Sequence, residues 1–262
     1  MRLTKKNYHT RDNQYLSNSK VKEFLRDPYY FYQRFVTGDL VFEPTPSMRV
    51  GSAVDTYLTG SRAQFNKQYQ EKVLKKDNPE LFDVQKFLDP AGLLSPTEFT
   101  KVMDIVERVK KLTVYKDIKK EYKAQRILKL DKKLGMFDGI CGIPDWYDVD
   151  NKGSAFIVDL KTTASVDERK FKYSCYDFGY FMQQAMYQML LSSSDNDIKT
   201  FKSFILAVET TQPYSVRLYE LDQKEIEMFK MELTGVLDLI ASYDAKDFKP
   251  KDLTWGDAIT LW

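Results

Sequence analysis

Two carboxylates and a lysine in the middle of the chain have the residue types and spacing of a site for a hard metal ion. After Asp145 comes a short turn, and then Asp159 and Lys161 stand two residues apart in the sequence FIVDLK. Because side chains alternate between the two faces of a β-strand, Asp159 and Lys161 share one face, which we expect to be open to water. The opposite face carries apolar side chains that can pack on a helix: Phe156, Val158 and Leu160.

Magnesium fits this set of residues, because it prefers oxygen ligands and is usually held by one or two carboxylates with water and substrate phosphate. We expect Asp145 and Asp159 to supply the carboxylates and the backbone carbonyl of Leu160 to supply a third oxygen. Such an ion activates a water for attack on a phosphate ester. Lys161 would orient that water and offset charge on the phosphate, or act as a base. For an isolated Asp-x-Lys, a surface ion pair on a hairpin is the simpler interpretation.

Hydrophobic periodicity predicts the elements that position these residues. Apolar residues at helical spacing predict helices over residues 18–35, bent or split at Pro28, and over 49–58, 97–120, 178–191 and 223–243. Alternating apolar residues predict strands over 122–130, 136–149, 155–161, 200–209 and 215–221, with turns at 132–135 and 150–153. Residues 60–97 are the least regular part. This order predicts an α/β fold with a mixed sheet flanked by helices.

The order of the polar motifs resembles a known family. Pro144–Asp145 followed by Asp159–Leu160–Lys161 is similar to the PD-(D/E)XK nuclease motif, on the strands that carry it in that fold. Downstream, Gln183 and Tyr187 match the Gln-x-x-x-Tyr helix motif of the exonuclease branch that includes RecB-like and RecE-like nucleases. These two residues are four apart and therefore share one helix face.

Two N-terminal segments extend the resemblance, which covers residues 15 to about 220. YLSNSKVKEFLRDPYYFY resembles the first helix of RecE-like phage exonucleases, and RVGSAVDTYLTG resembles their second helix. Many relatives carry Gly-x-x-x-His in that second helix, and Asp55, which follows Gly51, stands at the histidine position here. Since a carboxylate is also a good magnesium ligand, we expect Asp55 to join the metal site.

The resemblance implies a PD-(D/E)XK (restriction endonuclease-like) core with extra N-terminal helices. We expect one domain over residues 1–262, with a helical part over 1–120, a catalytic sheet core over 121–221 and a C-terminal helix over 222–262. The implied activity is a magnesium-dependent exonuclease, for which manganese can substitute. It would resect linear duplex DNA 5′ to 3′ in phage-type recombination, beside a single-strand annealing protein and as a homo-oligomeric ring. The implied catalytic residues are Asp145, Asp159, Lys161, Gln183 and Tyr187.

Four further residues are candidates for contact with DNA. Ser17 and Ser19 stand at the start of the first predicted helix, where the helix dipole attracts a terminal phosphate, although ordinary helix capping explains them equally well. Trp146, next to Asp145, is available to stack on a base, or it belongs to the core. Glu121 falls where many members of the family carry an acidic residue on the first strand.

Two other functions fit the same residues. The first is a restriction-type endonuclease on the same fold, which the Gln183–Tyr187 helix disfavours. The second is a non-catalytic DNA-binding or assembly protein on a decayed nuclease fold. The intact set of Asp145, Asp159 and Lys161 disfavours decay.

Composition narrows the classes of protein that remain. The formal net charge is +2, but residues 101–133 contain 12 Lys and Arg against 5 Asp and Glu. Such a basic segment suits a phosphate backbone or a solvated helix face. Cys141 and Cys175 are far apart, which argues against a zinc site and a disulfide scaffold. The chain shows no signal peptide and no apolar run of membrane-spanning length, so we expect no membrane partner and a cytoplasmic location in a bacterial host.

Overall fold

The fold is described by a computed structural model that covers residues 3–4, 8, 13–86, 89–194, 197–244 and 248. Its N-terminal part begins with strand β1 (Tyr15–Leu16), helix α1 (Asn18–Arg26) and helix α2 (Pro28–Tyr32), which continues as a π-helical turn (Gln33–Thr37). Pro28 splits the predicted first helix because Asp27 ends α1 in an extended conformation. The Asp27 carboxylate then caps α2 by accepting hydrogen bonds from the amides of Tyr29 and Tyr30.

The second predicted helix is α3 (Pro46–Asp55), which continues as a π-helical turn (Thr56–Gly60). The irregular region that follows contains short elements: α4 (Arg62–Gln68), β2 (Gln70–Glu71), α5 (Pro79–Gln85), a 3₁₀ turn (Pro90–Gly92) and β3 (Leu93–Leu94). Strands β2 and β3 pair in parallel, which ties the two ends of this region together.

The helix predicted over residues 97–120 is in fact two helices, α6 (Pro96–Lys110) and α7 (Thr113–Glu121). The buried positions of α6 end at Val109, and those of α7 are Tyr115 and Ile118. One continuous helix would place Tyr115 off the stripe that ends at Val109. The extended residue Leu112 absorbs this change of phase, so both helices bury their apolar faces in one cluster.

The strands of the middle region are β4 (Lys123–Ala124), β5 (Leu128–Leu134), β6 (Phe137–Gly142), β7 (Trp146–Val149) and β8 (Ser154–Thr163). The single strand predicted over 136–149 is therefore wrong. Pro144 has no amide hydrogen to give to a ladder, and the chain leaves one sheet there and enters another. The first predicted turn also moves, because β5 continues to Leu134 and Gly135 turns the chain with φ +57°.

The last part of the chain forms α8 (Glu168–Asp177), α9 (Tyr180–Ser194), β9 (Thr200–Glu209), β10 (Val216–Glu220) and α10 (Gln223–Ser242). The predictions for the last four elements are confirmed within a few residues. Helix α8 was not predicted, because its sequence ERKFKYSCYD buries only Phe171 and Cys175.

Two sheets organise the core. The five-stranded sheet has the order β10-β9-β8-β7-β4, with β8 and β9 parallel and the other pairs antiparallel, while β1-β6-β5 form a smaller sheet. One buried hydrophobic cluster contains residues of α1, α9 and α10, and a second contains residues of α3, α6 and α7. Strand β8 supplies Ile157 to the first cluster and Val158 and Leu160 to the second, so both of its faces are covered. Among the described residues, no helix is long and apolar enough to cross a membrane.

Candidate active site

Strand β8 carries the first acidic residue and the lysine of the site. Opposite them on the parallel strand β9, Asp159 has Ile205 and Lys161 has Ala207 as register partners. Asp159 is buried, with 2% of its side chain exposed, and the Lys161 side chain is 20% exposed. The ammonium group of Lys161 contacts Oδ2 of Asp159 as an ion pair. The expectation of a water-exposed face is therefore wrong, because helices cover both sides of β8.

The turn between β6 and β7 carries the second acidic residue. Oδ2 of Asp145 accepts a hydrogen bond from the backbone amide of Leu160 at 2.7 Å. The amide and carbonyl of one strand residue point to the same side of the strand, so the Leu160 carbonyl also faces the Asp145 side, away from β9. The structure thus brings Asp145 beside Asp159 and places the predicted third oxygen at the same edge.

Helix α3 carries Asp55, its last residue, to the same place. Gly51, one turn earlier, lies so close to β8 that a Cβ there would stand 2.8 Å from Oγ1 of Thr162. Burial, together with the neighbouring carboxylate of Asp159, raises the pKa of Asp55 to about 6. Burial also raises the pKa of Asp145, to which the charges of Asp55 and Asp159 contribute. The three carboxylates therefore converge and repel one another.

The oxygen donor atoms of this arrangement are of the kind that bind a divalent cation. Oδ1 of Asp55 is buried and accepts no hydrogen bond from the part of the chain that the structure describes, and the buried Oδ2 of Asp159 is contacted by the Lys161 ammonium. Hard cations are bound by such oxygens, and a cation would relieve the repulsion between the carboxylates. As placed in the same described part, no group of three or more His, Cys, Asp or Glu side chains could by itself hold a metal ion. The Lys161 ammonium contacts Asp159, and the Leu160 amide donates a hydrogen bond to Asp145. Some of the oxygens that would bind a cation therefore already have a partner within the protein.

Lys161 is held by its charged neighbours and by an aromatic ring. Burial lowers the pKa of a lysine, but the carboxylates of Asp159 and Asp145 outweigh burial here and raise the pKa of Lys161 above its usual value. Its Nζ lies 5.0 Å from the centre of the Tyr180 ring, within the range of a cation–π contact. Lys161 is therefore an ammonium group in this arrangement, with its proton available for donation.

The Gln-x-x-x-Tyr pair lies on α9, next to the turn that carries Asp145. Nε2 of Gln183 donates to the hydroxyl of Tyr187 at 2.9 Å, and that hydroxyl donates to the carbonyl of Ile143 at 3.0 Å. Tyr187 is 5% exposed, and its ring packs so closely that a Cβ on Gly142 would stand 2.8 Å from it. In this arrangement Tyr187 positions the chain that leads to Asp145.

The structure separates some predicted residues from the site. Trp146 is 1% exposed and meets the ring of Tyr115 edge-on, so it belongs to the core and cannot stack on a base. Glu121 is the exposed last residue of α7 and does not lie on a strand. The hydroxyls of Ser17 and Ser19 are hydrogen-bonded to each other at 2.9 Å. Within the described chain, the Ser17 side chain makes no capping bond to α1, so capping does not explain it.

Two residues near the site were missed by the sequence analysis. Tyr180 stands three and seven residues before Gln183 and Tyr187, and this i, i+3, i+7 spacing on one helix face is the signal that would have found it. Lys22 on α1 donates from Nζ to the carbonyl of Phe178, just before Tyr180, and lies close enough to Lys161 for their charges to interact. No local pattern marks Lys22, because its partner lies 156 residues away.

The fold and this site define a protein of the PD-(D/E)XK nuclease superfamily: a mixed sheet flanked by helices, with one carboxylate just before strand β7, a second on the adjacent strand β8, and a lysine two residues beyond the second. The chain belongs to the family described as a PDDEXK-like domain of unknown function, whose model matches residues 17–254. No curated protein matches the chain significantly.

A solved structure shares this fold. A candidate exonuclease from Eubacterium rectale is 23% identical, with a TM-score of 0.66, and the match covers 92% of this chain and 87% of that one. A second solved structure, SSO0001, is 14% identical over 83% of each chain, and its TM-score of 0.31 is too low to support an argument. The predicted superfamily and fold class are thus confirmed.

Proposed function

We propose that this protein is a divalent-metal-dependent deoxyribonuclease that acts on the ends of linear duplex DNA. The observation that carries the proposal is the convergence of Asp55, Asp145 and Asp159 beside the ammonium group of Lys161. Buried carboxylates that repel one another destabilise a fold, so they are expected where function needs them. Magnesium is the expected ion because the donor set consists of oxygens, and manganese should substitute.

Each residue has a defined task in hydrolysis of the phosphodiester. The three carboxylates and the Leu160 carbonyl would hold the cation, which supplies charge stabilisation at the phosphate and a more acidic water. Lys161 donates hydrogen bonds to that water or to a phosphate oxygen and offsets the charge that develops. The ring of Tyr180 limits the motion of the Lys161 ammonium. Tyr187, held by Gln183, keeps the backbone before Asp145 in place.

The finer features of the proposal rest on the resemblance to RecE-like and RecB-like exonucleases. They are 5′ to 3′ resection, a role in phage-type recombination with a single-strand annealing protein, and a ring-shaped homo-oligomer in the cytoplasm of a bacterial host. The net charge is only +2, so electrostatic attraction to the DNA backbone is weak. A ring-shaped oligomer that encircles the duplex would keep the enzyme bound without it. Several cations of residues 101–133 are already paired with carboxylates: Lys123 with Asp148, Lys129 with Asp131 and Lys133 with Asp138.

A digestion assay tests the proposal. Linear and covalently closed circular forms of one plasmid should be incubated with magnesium, manganese or EDTA, with 5′-phosphate and 5′-hydroxyl ends compared. We expect linear DNA to be degraded from its ends, 5′-phosphorylated ends to be preferred, closed circles to persist and EDTA to stop the reaction. Equally fast nicking of closed circles would instead establish the restriction-type endonuclease. A wild-type protein inert toward both forms with either metal would support the non-catalytic alternative.

A further inference from the structure

The turn between α8 and α9 exposes an aromatic ring that no packing requirement explains. Phe178 is 54% exposed, although burial of a phenylalanine side chain is normally favourable by about 2 kcal/mol. The ring lies beside that of Tyr180, with centroids 5.9 Å apart and planes tilted by 32°. Tyr180 in turn contacts the buried Phe171, which stacks on Tyr219. The exposed ring is therefore the outer member of an anchored aromatic row.

Both the amide and the carbonyl of Phe178 in this turn are hydrogen-bonded. The amide of Phe178 donates to the carbonyl of Ser174 at 2.9 Å, and its carbonyl accepts a hydrogen bond from Nζ of Lys22 on α1. Gly179 follows in the left-handed region, with φ +64°, and a Cβ there would contact the Lys22 side chain at 3.3 Å. The backbone that carries the Phe178 ring is thus held by the preceding helix α8 and by Lys22 of α1.

The aromatic row leads directly to the site. The ring of Tyr180 neighbours both the ring of Phe178 and Lys161, whose Nζ is 5.0 Å from the centre of the Tyr180 ring. Lys22 and Lys161 lie close enough for their charges to repel each other. Lys22 therefore contacts the backbone that carries the exposed ring, and Lys161 contacts the neighbouring ring of Tyr180. A nucleotide has the matching parts, an anionic phosphate and a flat base.

We propose that Phe178, supported by Tyr180, is a stacking platform for an unpaired nucleobase of the strand whose phosphate lies at Lys161. The inference rests on the proposed nuclease function and adds the form of the DNA that the site accepts. Inside a duplex each base face is covered by its neighbours, so an aromatic ring can stack only on a terminal or splayed base. The platform thus favours a frayed end over continuous duplex.

Chemical removal of single bases tests the platform. Linear duplexes that carry one abasic nucleotide at each of the first four positions of the cleaved strand should be compared with intact duplex, by kcat/KM. Stacking on an aromatic ring is worth about 1–3 kcal/mol per base. We therefore expect the wild type to discriminate against one abasic position by roughly tenfold, and Phe178→Ala to lose this discrimination. Phe178→Trp should retain it, which separates stacking from a folding defect.

Tyr173→Ala is the matched control. Tyr173 is 61% exposed on α8, the helix that ends just before Phe178, and an offset of five residues corresponds to about 140° around the axis of that helix. This variant should behave as the wild type. A wild type that digests DNA without discriminating against an abasic nucleotide at any of the four positions would overturn the platform and leave the nuclease intact. If Phe178→Ala keeps the discrimination but changes the particle size in light scattering, the ring belongs to a contact between copies. A wild type that digests no DNA would refute the proposed function itself.

Discussion

The carboxylate of Asp145 accepts a hydrogen bond from the backbone amide of Leu160, 2.7 Å away on the neighbouring strand β8. This bond fixes the position of Asp145 relative to Asp159 through the backbone. An asparagine can make the same bond through its amide oxygen and removes only the charge. The pair of residues therefore allows charge and position to be tested separately.

Asp145→Asn should abolish cleavage and stabilise the metal-free protein. Removal of one buried charge lowers the repulsion with Asp55 and Asp159, while the bond to Leu160 is kept. We expect a loss of at least about 100-fold in kcat, a higher melting temperature in EDTA, and little further stabilisation by magnesium. Asp150→Asn is the control, because that carboxylate also accepts backbone amides, from Lys152 and Ser154, but it lies in the turn at the opposite end of β7. Normal activity of Asp145→Asn would remove this carboxylate from the mechanism.

Changes at Asp55 should alter the metal requirement. Asp55→Asn removes a charged oxygen from a hard-cation site, so the magnesium concentration for half-maximal activity should rise about tenfold or more. Asp55→His restores the residue of many relatives, and an imidazole favours manganese over magnesium. We expect the ratio of manganese-supported to magnesium-supported activity to rise in Asp55→His. Metal titrations identical to the wild type in both variants would show that Asp55 is not a ligand.

Gly51→Ala should damage the site by moving α3. The added Cβ would meet Oγ1 of Thr162 at 2.8 Å, and Asp55 lies one turn further along the same helix. A displacement on the order of 1 Å can lower activity by about 100-fold. The double variant Gly51→Ala with Thr162→Ala should recover activity, because the clashing atom is gone. Gly235→Ala on α10, where a Cβ meets nothing within 4 Å, should leave activity unchanged.

Tyr187→Phe should lower activity more than its effect on stability explains. The variant loses the hydroxyl that donates to Ile143 and accepts from Gln183, at a cost of about 1 kcal/mol in the free energy of unfolding. Tyr115→Phe is the matched control, since the buried Tyr115 hydroxyl donates to the carbonyl of Leu58 at 3.0 Å. Both variants should lose similar stability, but only Tyr187→Phe should show a lower kcat. Equal kcat values would mean that Tyr187 has a purely structural role.

Lys20 should make stability depend on pH. It is 4% exposed, its Nζ donates to the carbonyls of Asn13 and Tyr15, and burial lowers its pKa to about 8. The unfolded chain, with a lysine pKa of about 10.4, binds more protons between these values, so the free energy of unfolding rises with pH there. Between pH 7 and 9.5 the wild type should gain roughly 2 kcal/mol relative to Lys20→Met. Parallel stability curves for the two proteins would refute this effect.

Much of the site could be predicted from the sequence because its core is local. Asp145 lies only 14 positions before Asp159, and the alternation of β8 places Asp159 and Lys161 on one face whatever the rest of the chain does. The Gln183–Tyr187 pair is set by helical spacing in the same way. The resemblance to a nuclease motif supplied Asp55, which local spacing alone does not connect with the strands.

The remainder depended on contacts that are distant in sequence. The water-exposed face expected for Asp159 is buried because α3 and α9 both cover β8, and neither helix is adjacent to it along the chain. The sequence alone allows both a base-stacking and a core role for Trp146. The contact with Tyr115 on α7, which assigns it to the core, is distant in sequence. The position of Lys22 beside the α8–α9 turn likewise follows from the packing of α1, which no local pattern predicts.

The two hydrophobic clusters that lie on opposite sides of the five-stranded sheet have a consequence for biosynthesis. Asp55 lies on α3, on one side of the sheet, whereas Tyr187 lies on α9, on the other side and much later in the sequence. A ribosome releases the α3 side long before α9 and β9 emerge, so a nascent chain holds the early carboxylate without its partners. The proposed metal site is complete only when the helices on both sides have packed on the sheet. Under the proposed function, a chain that stops before α9 should therefore be inactive on DNA.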